Sequence, residues 1–224
     1  MSTLERPRST TGLARWAMLG GVVYVVLFVI GTILIYGNSP DSSASPARIV
    51  HYYSDSGHRD KTSIGWVLAS LGIFFFFWFL SSLRQTVRRL EADDGFLTGL
   101  TTIGGAAYGT LTLAALGLEA GIRTMSDDTY HHTVYPGLIH AADDAAWMMH
   151  AGGGAGVGAM IIAASLAGLR AGAVSKWLGW LGVAAGILGL GLIIFFPWFV
   201  VAIWILVVSI GMFLRSGRTA TALP

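Results

Sequence analysis

Residues Trp177–Leu214 read WLGWLGVAAGILGLGLIIFFPWFVVAIWILVVSIGMFL, a run of 38 residues without a charged side chain. As a single helix this run would be about 57 Å long, nearly twice the roughly 30 Å of hydrocarbon in a bilayer. Pro197 interrupts the run and cannot donate a helix hydrogen bond. The run therefore predicts two membrane spans, 177–195 and 198–214, joined by a tight aromatic turn.

Four further apolar runs are each long enough to cross a bilayer as a helix. Together with the two spans at the carboxy end, they predict an all-α polytopic membrane protein, a six-transmembrane-helix bundle that forms one domain over residues 1–224. No long polar segment is left over for a separate soluble domain. The four runs cover residues 16–36, 63–83, 96–118 and 146–169.

The composition supports a membrane protein and excludes several other classes. Charged residues make up 12% of the chain and hydrophobic residues 54%, whereas soluble domains carry about 25% charged residues. This excludes a cytosolic enzyme and a nucleic-acid-binding protein. The chain has no cysteine, which excludes disulfides, thiolate metal sites and cysteine nucleophiles.

The distribution of charge predicts the orientation of the bundle. With six spans and both termini in the cytoplasm, ten of the 14 lysine and arginine residues fall on the cytoplasmic side. This agrees with the enrichment of basic residues in cytoplasmic loops. Eight of the 12 acidic residues and all six histidines then fall on the outer side. A five-span topology would place Arg215 and Arg218 outside, against this rule.

Two long outer loops contain the polar residues that could bind a ligand. In the first, Ser45 followed by Pro46 is a typical helix start, and in the second a helical pattern begins after Pro136 and continues into the fourth span. We expect the outer face to bind a partner protein, a lipid or a small ligand. The candidate binding residues are His51, Tyr52, His131 and His132.

A second set of polar residues has the composition of a metal site. His140, Asp143, Asp144 and His150 share one face of the predicted helix. Imidazole and carboxylate ligands suit zinc, manganese or iron, so the alternative hypothesis is a membrane-embedded, metal-dependent enzyme. The same residues also fit an ordinary polar loop surface. Nearby, Glu119 and Arg123 are four residues apart and predict an ion pair at a helix end.

Glycines are concentrated in the third, fourth and fifth spans. The pairs Gly152/Gly156, Gly154/Gly158 and Gly182/Gly186 allow helix backbones to approach closely in lipid. Between the interfaces the spans contain no Asp, Glu, Lys, Arg or His, which argues against a proton-coupled transporter. A transporter of a neutral or lipid-like solute remains a second alternative.

Two stretches carry a resemblance to a known group of proteins. They are SPDSSASPARIVHYYSD at residues 39–55 and WFLSSLR at residues 78–84. Their order resembles that in a group of uncharacterised six-span integral membrane proteins of actinobacteria. The resemblance covers about the first 120 residues. It implies a bacterial plasma-membrane protein, and the group has no established activity to carry over.

Overall fold

The computed structural model describes residues 12–41, 43–91, 95–124, 131, 133–191 and 198–220, with side chains up to Ser216. Within these ranges the chain is α-helical apart from short connections, and it has no β-strand. This confirms the predicted all-α class. The helices are α1 (Gly12–Ala17), α2 (Gly20–Tyr36), α3 (Pro46–Ser54), α4 (Ser56–Leu90), α5 (Phe96–Thr124), α6 (Pro136–Arg170), α7 (Lys176–Leu190) and α8 (Trp198–Ala220).

The six longer helices form a closed ring in chain order. Helix α2 packs on α4, α4 on α5, α5 on α6 and α6 on α7. Helix α8 contacts both α7 and α2 and so closes the ring. The buried core runs through the middle of this ring and includes Tyr24, Phe76, Met160 and Ile205, none of which is exposed.

Several helices are suited to a membrane environment. Helices α4, α6 and residues Trp198–Ser216 of α8 are long and apolar enough to cross a membrane. Helices α2 and α7 are apolar but shorter, with 17 and 15 residues. Large hydrophobic side chains such as Ile103 and Trp180 are 71% and 62% exposed. An apolar surface of this kind is stable where lipid rather than water surrounds it.

The helix boundaries agree with the sequence patterns in part. Helix α6 begins at Pro136 and runs without a break into the predicted fourth span, as expected. The first predicted span is instead divided, because the N–H groups of Met18 and Leu19 donate to the carbonyls three residues earlier, which ends α1 before α2 begins. Pro197, the predicted break between the last two spans, lies outside the described residues.

Glycines bring neighbouring helices into close contact. A Cβ atom added at Gly156 of α6 would lie 2.6 Å from the carbonyl oxygen of Gly104 in α5. At Gly158, an added Cβ would lie 2.7 Å from the carbonyl oxygen of Gly186 in α7. The predicted packing role is therefore confirmed at these positions, since no larger residue fits. Gly152 is less tightly packed, with its nearest neighbour atom, in Leu111, at 3.4 Å.

The interior of the ring contains a polar contact that the sequence did not indicate. The hydroxyl groups of Tyr24 in α2 and Tyr108 in α5 lie 2.5 Å apart and form a buried hydrogen bond. The ring of Phe76 in α4 packs on both tyrosines, with centroid distances of 5.3 Å in each case. Because the hydroxyls satisfy each other, they can be buried without the cost of an unpaired polar group.

Candidate ligand-binding site around Arg123

Five side chains from four helices meet at one end of the ring. Tyr36 is the last residue of α2, Tyr53 lies near the end of α3, Glu119 and Arg123 lie one turn apart on α5, and Asp143 lies in the first part of α6. We call this group the Arg123 cluster. Glu119 is 5% exposed and Arg123 is 4% exposed. Both therefore carry their polar groups into the interior of the protein.

The charged groups of the cluster pair between helices. Nη2 of Arg123 donates to Oδ1 of Asp143 at 2.8 Å. The Tyr36 hydroxyl donates to Oε2 of Glu119. The predicted ion pair between Glu119 and Arg123 is wrong, because the structure has no such pair within 4.0 Å and each residue finds its partner on another helix. Burial favours these pairings, because a charged or polar group that is removed from water needs a hydrogen-bond partner in its place.

Two nitrogen atoms of Arg123 remain without a hydrogen-bond partner. Nε and Nη1 are fully buried, and neither donates to an atom of the described residues. The guanidinium lies over the ring of Tyr36 at 4.9 Å and faces the ring of Tyr53 at 6.0 Å. These rings stabilise its positive charge but accept no ordinary hydrogen bond. Within the described residues, the N–H of Nε and the two N–H groups of Nη1 therefore have no acceptor.

The electrostatic environment favours one charge state for each group. Burial raises the pKa of Glu119, which lies beyond the predicted span 96–118, and Arg123 opposes this shift only in part. Burial also raises the pKa of Tyr53 to about 12. Burial would lower the pKa of Arg123, but its neighbours Tyr53, Asp143 and Glu119 outweigh this and raise it. The guanidinium therefore stays charged, whereas Glu119 is shifted towards its neutral form.

Helix α3 covers the cluster. Its start is the predicted one, since the Ser45 side chain accepts a hydrogen bond from the backbone N–H of Arg48 and Pro46 is the first helical residue. Ile49 and Tyr53 are 1% and 2% exposed and form a small apolar cluster with Ile139 of α6. This amphipathic helix therefore lies on the Arg123 cluster and separates it from solvent.

The end of α3 is fastened to α4 by two residues. Nη1 of Arg59 donates to the carbonyl oxygens of Tyr53 and Ser54 at 3.0 and 2.9 Å. The ring of His58 stacks on that of Tyr52 with a centroid distance of 3.9 Å, and its Nδ1 lies 3.0 Å from the Tyr52 carbonyl oxygen. These contacts hold the carboxy end of α3 against α4.

Of the predicted binding residues, His51 and Tyr52 lie on α3, the helix that covers the cluster. Tyr52 is half-buried against His58, and His51 is exposed on α3. His131 is exposed with a φ of 51°, and His132 lies outside the described residues. The residues that do converge are aromatic and charged residues at helix ends. Arg123 could have been singled out from the sequence, because it directly follows an apolar span on the predicted outer side.

The four predicted metal ligands all lie on α6. Asp143 is occupied by Arg123, Asp144 is exposed, and His140 and His150 are half-buried on α6. Among the residues that the structure describes, no three His, Asp or Glu side chains lie close enough to hold a metal ion. A zinc, manganese or iron site therefore stays a prediction. Its strongest donors, the two imidazoles, are ten residues apart on one helix.

Comparison with models of protein families, with curated proteins and with solved structures finds no match. The function of the chain must therefore be inferred from its own geometry. The feature with the clearest chemical meaning is the buried arginine, two of whose nitrogens have no hydrogen-bond partner in the described residues. Its surroundings are closed by aromatic rings and by a short covering helix.

Proposed function

We propose that the chain is a multi-pass protein of the bacterial plasma membrane, with six spans and both termini in the cytoplasm. The ring supports this topology because α5 packs between α4 and α6, two helices that are long and apolar enough to cross a membrane. The charges also separate between the two ends of the ring. Arg89, Arg170 and Arg215 lie at the carboxy ends of α4, α6 and α8, and the Arg123 cluster lies at the opposite end.

Labelling of single introduced cysteines tests this topology, because the chain has no native cysteine. We expect an impermeant maleimide to label Thr133→Cys in intact cells, since Thr133 is exposed at the Arg123 end. Ala220→Cys should react only after the membrane is permeabilised. Labelling of Ala220→Cys in intact cells, or protection of Thr133→Cys, would contradict the six-span topology.

We further propose that the protein binds a small anionic ligand at its outer face, in the Arg123 cluster. The observation that carries this proposal is the pair of buried, unpartnered nitrogens on Arg123. An oxygen atom of a carboxylate, phosphate or sulfate would accept from Nε or from Nη1, and hydrogen bonds to a charged donor are about twice as strong as neutral ones. The low dielectric of a buried site strengthens this attraction further.

The neighbouring acidic groups determine how such a ligand would bind. Asp143 balances part of the arginine charge, and an ionised Glu119 would repel a second anion. Burial raises the pKa of Glu119 and so favours its protonation. Protonation removes the negative charge that would repel the ligand. We therefore expect anion affinity to increase as the pH falls towards and below the pKa of Glu119. Tyr36, which donates to Glu119, can reorient when that carboxyl becomes neutral.

Thermal unfolding in detergent, with a panel of small carboxylates, phosphate and sulfate, tests the binding site. At 100 times its dissociation constant a ligand adds about 2.7 kcal/mol of stability, which corresponds to a Tm increase of roughly 5–10 °C. We expect this increase in the wild type and in the control Arg48→Gln, whose side chain is exposed on α3. Arg123→Lys should lose it, because lysine keeps the charge but not the planar set of donors.

A second variant keeps this test informative if Arg123→Lys folds poorly. Glu119→Gln retains an acceptor for the Tyr36 hydroxyl but cannot ionise. It should bind the same anion with an affinity that no longer changes with pH. The proposal fails if no anion in the panel stabilises the wild type, or if Arg123→Lys responds as the wild type does.

Stoichiometric metal in the purified protein that is lost in His140→Ala/His150→Ala would instead favour the metal-dependent enzyme.

A further inference from the structure

A large cavity lies at the other end of the ring, between α4, α6, α7 and α8. Its volume is about 620 Å³, within the range of about 300–1,000 Å³ that is usual for small-molecule sites. Its walls are mostly apolar and include Val87, Ala164, Leu181, Trp204 and Val207. A ligand that fills this cavity must therefore be largely hydrocarbon.

The cavity is open on the side where the bundle faces its surroundings. Leu181 of α7 and Val207 of α8 both line it and are 54% and 52% exposed. Trp177, which lies at the start of α7, is 67% exposed. In the proposed membrane protein this opening faces the acyl chains, and Trp177 lies at the depth of the headgroups, where tryptophan is enriched. Access from the bilayer is therefore direct.

Two arginines line the same cavity. Arg89 lies in the last turn of α4 and Arg215 near the end of α8, and both are exposed. Neither forms an ion pair within the described part of the chain. They bring two positive charges from different helices to one edge of an apolar space. The combination matches an amphiphile with an anionic head and a hydrocarbon tail.

We propose that this cavity binds one anionic phospholipid of the cytoplasmic leaflet, with its phosphate on Arg89 and Arg215 and an acyl chain between α7 and α8. The proposal rests on the membrane placement given above but not on the Arg123 site. Each basic residue near an anionic membrane surface contributes about 1 kcal/mol of attraction, so two arginines give a preference of roughly tenfold or more over a zwitterionic lipid. A zwitterionic lipid would fill the same space but would gain little from the two charges.

Native mass spectrometry of the delipidated full-length protein tests this proposal. We expect phosphatidylglycerol to bind at least about tenfold more tightly than phosphatidylcholine with the same acyl chains. Arg89→Gln/Arg215→Gln should reduce this preference to about twofold. Arg170→Gln/Lys176→Gln is the matched control, because it removes two exposed charges from the same end that do not line the cavity. It should keep the wild-type preference.

A further variant tests the hydrocarbon part of the site. Gly211 of α8 lines the cavity, and a Cβ atom added there would meet no atom within 4 Å. Gly211→Phe should therefore place a ring in the cavity, and it should weaken retention of both lipids. Equal losses in the Arg89/Arg215 variant and its control, unchanged binding in Gly211→Phe, or a lipid-free dimer that buries this face would each overturn the proposal. Cysteine labelling is independent of these outcomes and reports separately on topology.

Discussion

Replacing Arg123 by glutamine is expected to lower the free energy of unfolding by about 3 kcal/mol. The reason is that Asp143 loses its partner, and the rings of Tyr36 and Tyr53 lose the cation that they face. Removal of one member of a buried ion pair usually costs about 3–5 kcal/mol, and we expect the lower end because the Asp143 side chain is 29% exposed. Thermal and chemical unfolding in detergent measures this loss.

Two further variants separate this effect from a general loss of charge. Arg48→Gln removes an exposed arginine from α3 and should change stability by no more than about 0.5 kcal/mol. Arg123→Gln/Asp143→Asn removes both partners and should recover part of the loss, since no unpaired carboxylate is left. If Arg123→Gln were as stable as Arg48→Gln, the cluster would have no part in holding α2, α3, α5 and α6 together.

Replacing Gly156 by leucine is expected to lower the free energy of unfolding by a similar or larger amount. An added Cβ would lie 2.6 Å from the carbonyl oxygen of Gly104 and 3.0 Å from the backbone nitrogen of Tyr108. Because these are backbone atoms, only a separation of α5 from α6 can make room. We expect a loss of about 3 kcal/mol and a reduced yield of monodisperse protein in size-exclusion chromatography.

The chain offers a close control for this substitution. Gly117 lies on α5, is exposed, and has no atom within 4 Å of an added Cβ. Gly117→Leu should therefore fold and elute as the wild type does. A normal elution profile for Gly156→Leu would show that α5 and α6 do not approach each other at this crossing.

The features that the sequence predicts correctly depend on neighbouring residues. Helix α3 begins at Pro46 because Ser45 and Pro46 together cap and start a helix. Helix α6 continues from Pro136 because the apolar pattern is unbroken. The close approach at Gly156 follows from the spacing of small residues along one helix. Each of these features follows from residues that are near in sequence, and so it does not depend on how the rest of the chain folds.

The candidate site depends on contacts that no local pattern contains. Tyr36 and Glu119 are separated by 83 residues, Tyr24 and Tyr108 by 84, and their pairing is set by how α2 and α5 are rotated in the ring. The Glu119–Arg123 prediction failed for the same reason. A spacing of four residues describes an isolated helix in water, whereas in the ring Tyr36 on α2 and Asp143 on α6 are closer partners. The cavity likewise depends on the distance between α7 and α8, which no local sequence pattern determines.

Closure of the ring by α8 has a consequence for how the protein is made. Ser209 of α8 donates to the Met18 carbonyl oxygen, and the Arg15 guanidinium lies 4.7 Å from the centre of the Phe213 ring, so α8 completes a seam with residues around α1 that are translated well before it. At about 5–20 residues per second, α2 leaves the ribosome roughly 10–30 s before α8 is available. We therefore expect another surface, such as lipid, to cover the flank of α2 until α8 has been made. A polypeptide that ended before Trp198 would lack α8 and leave this edge of α2 uncovered, and we expect quality-control proteases to degrade it.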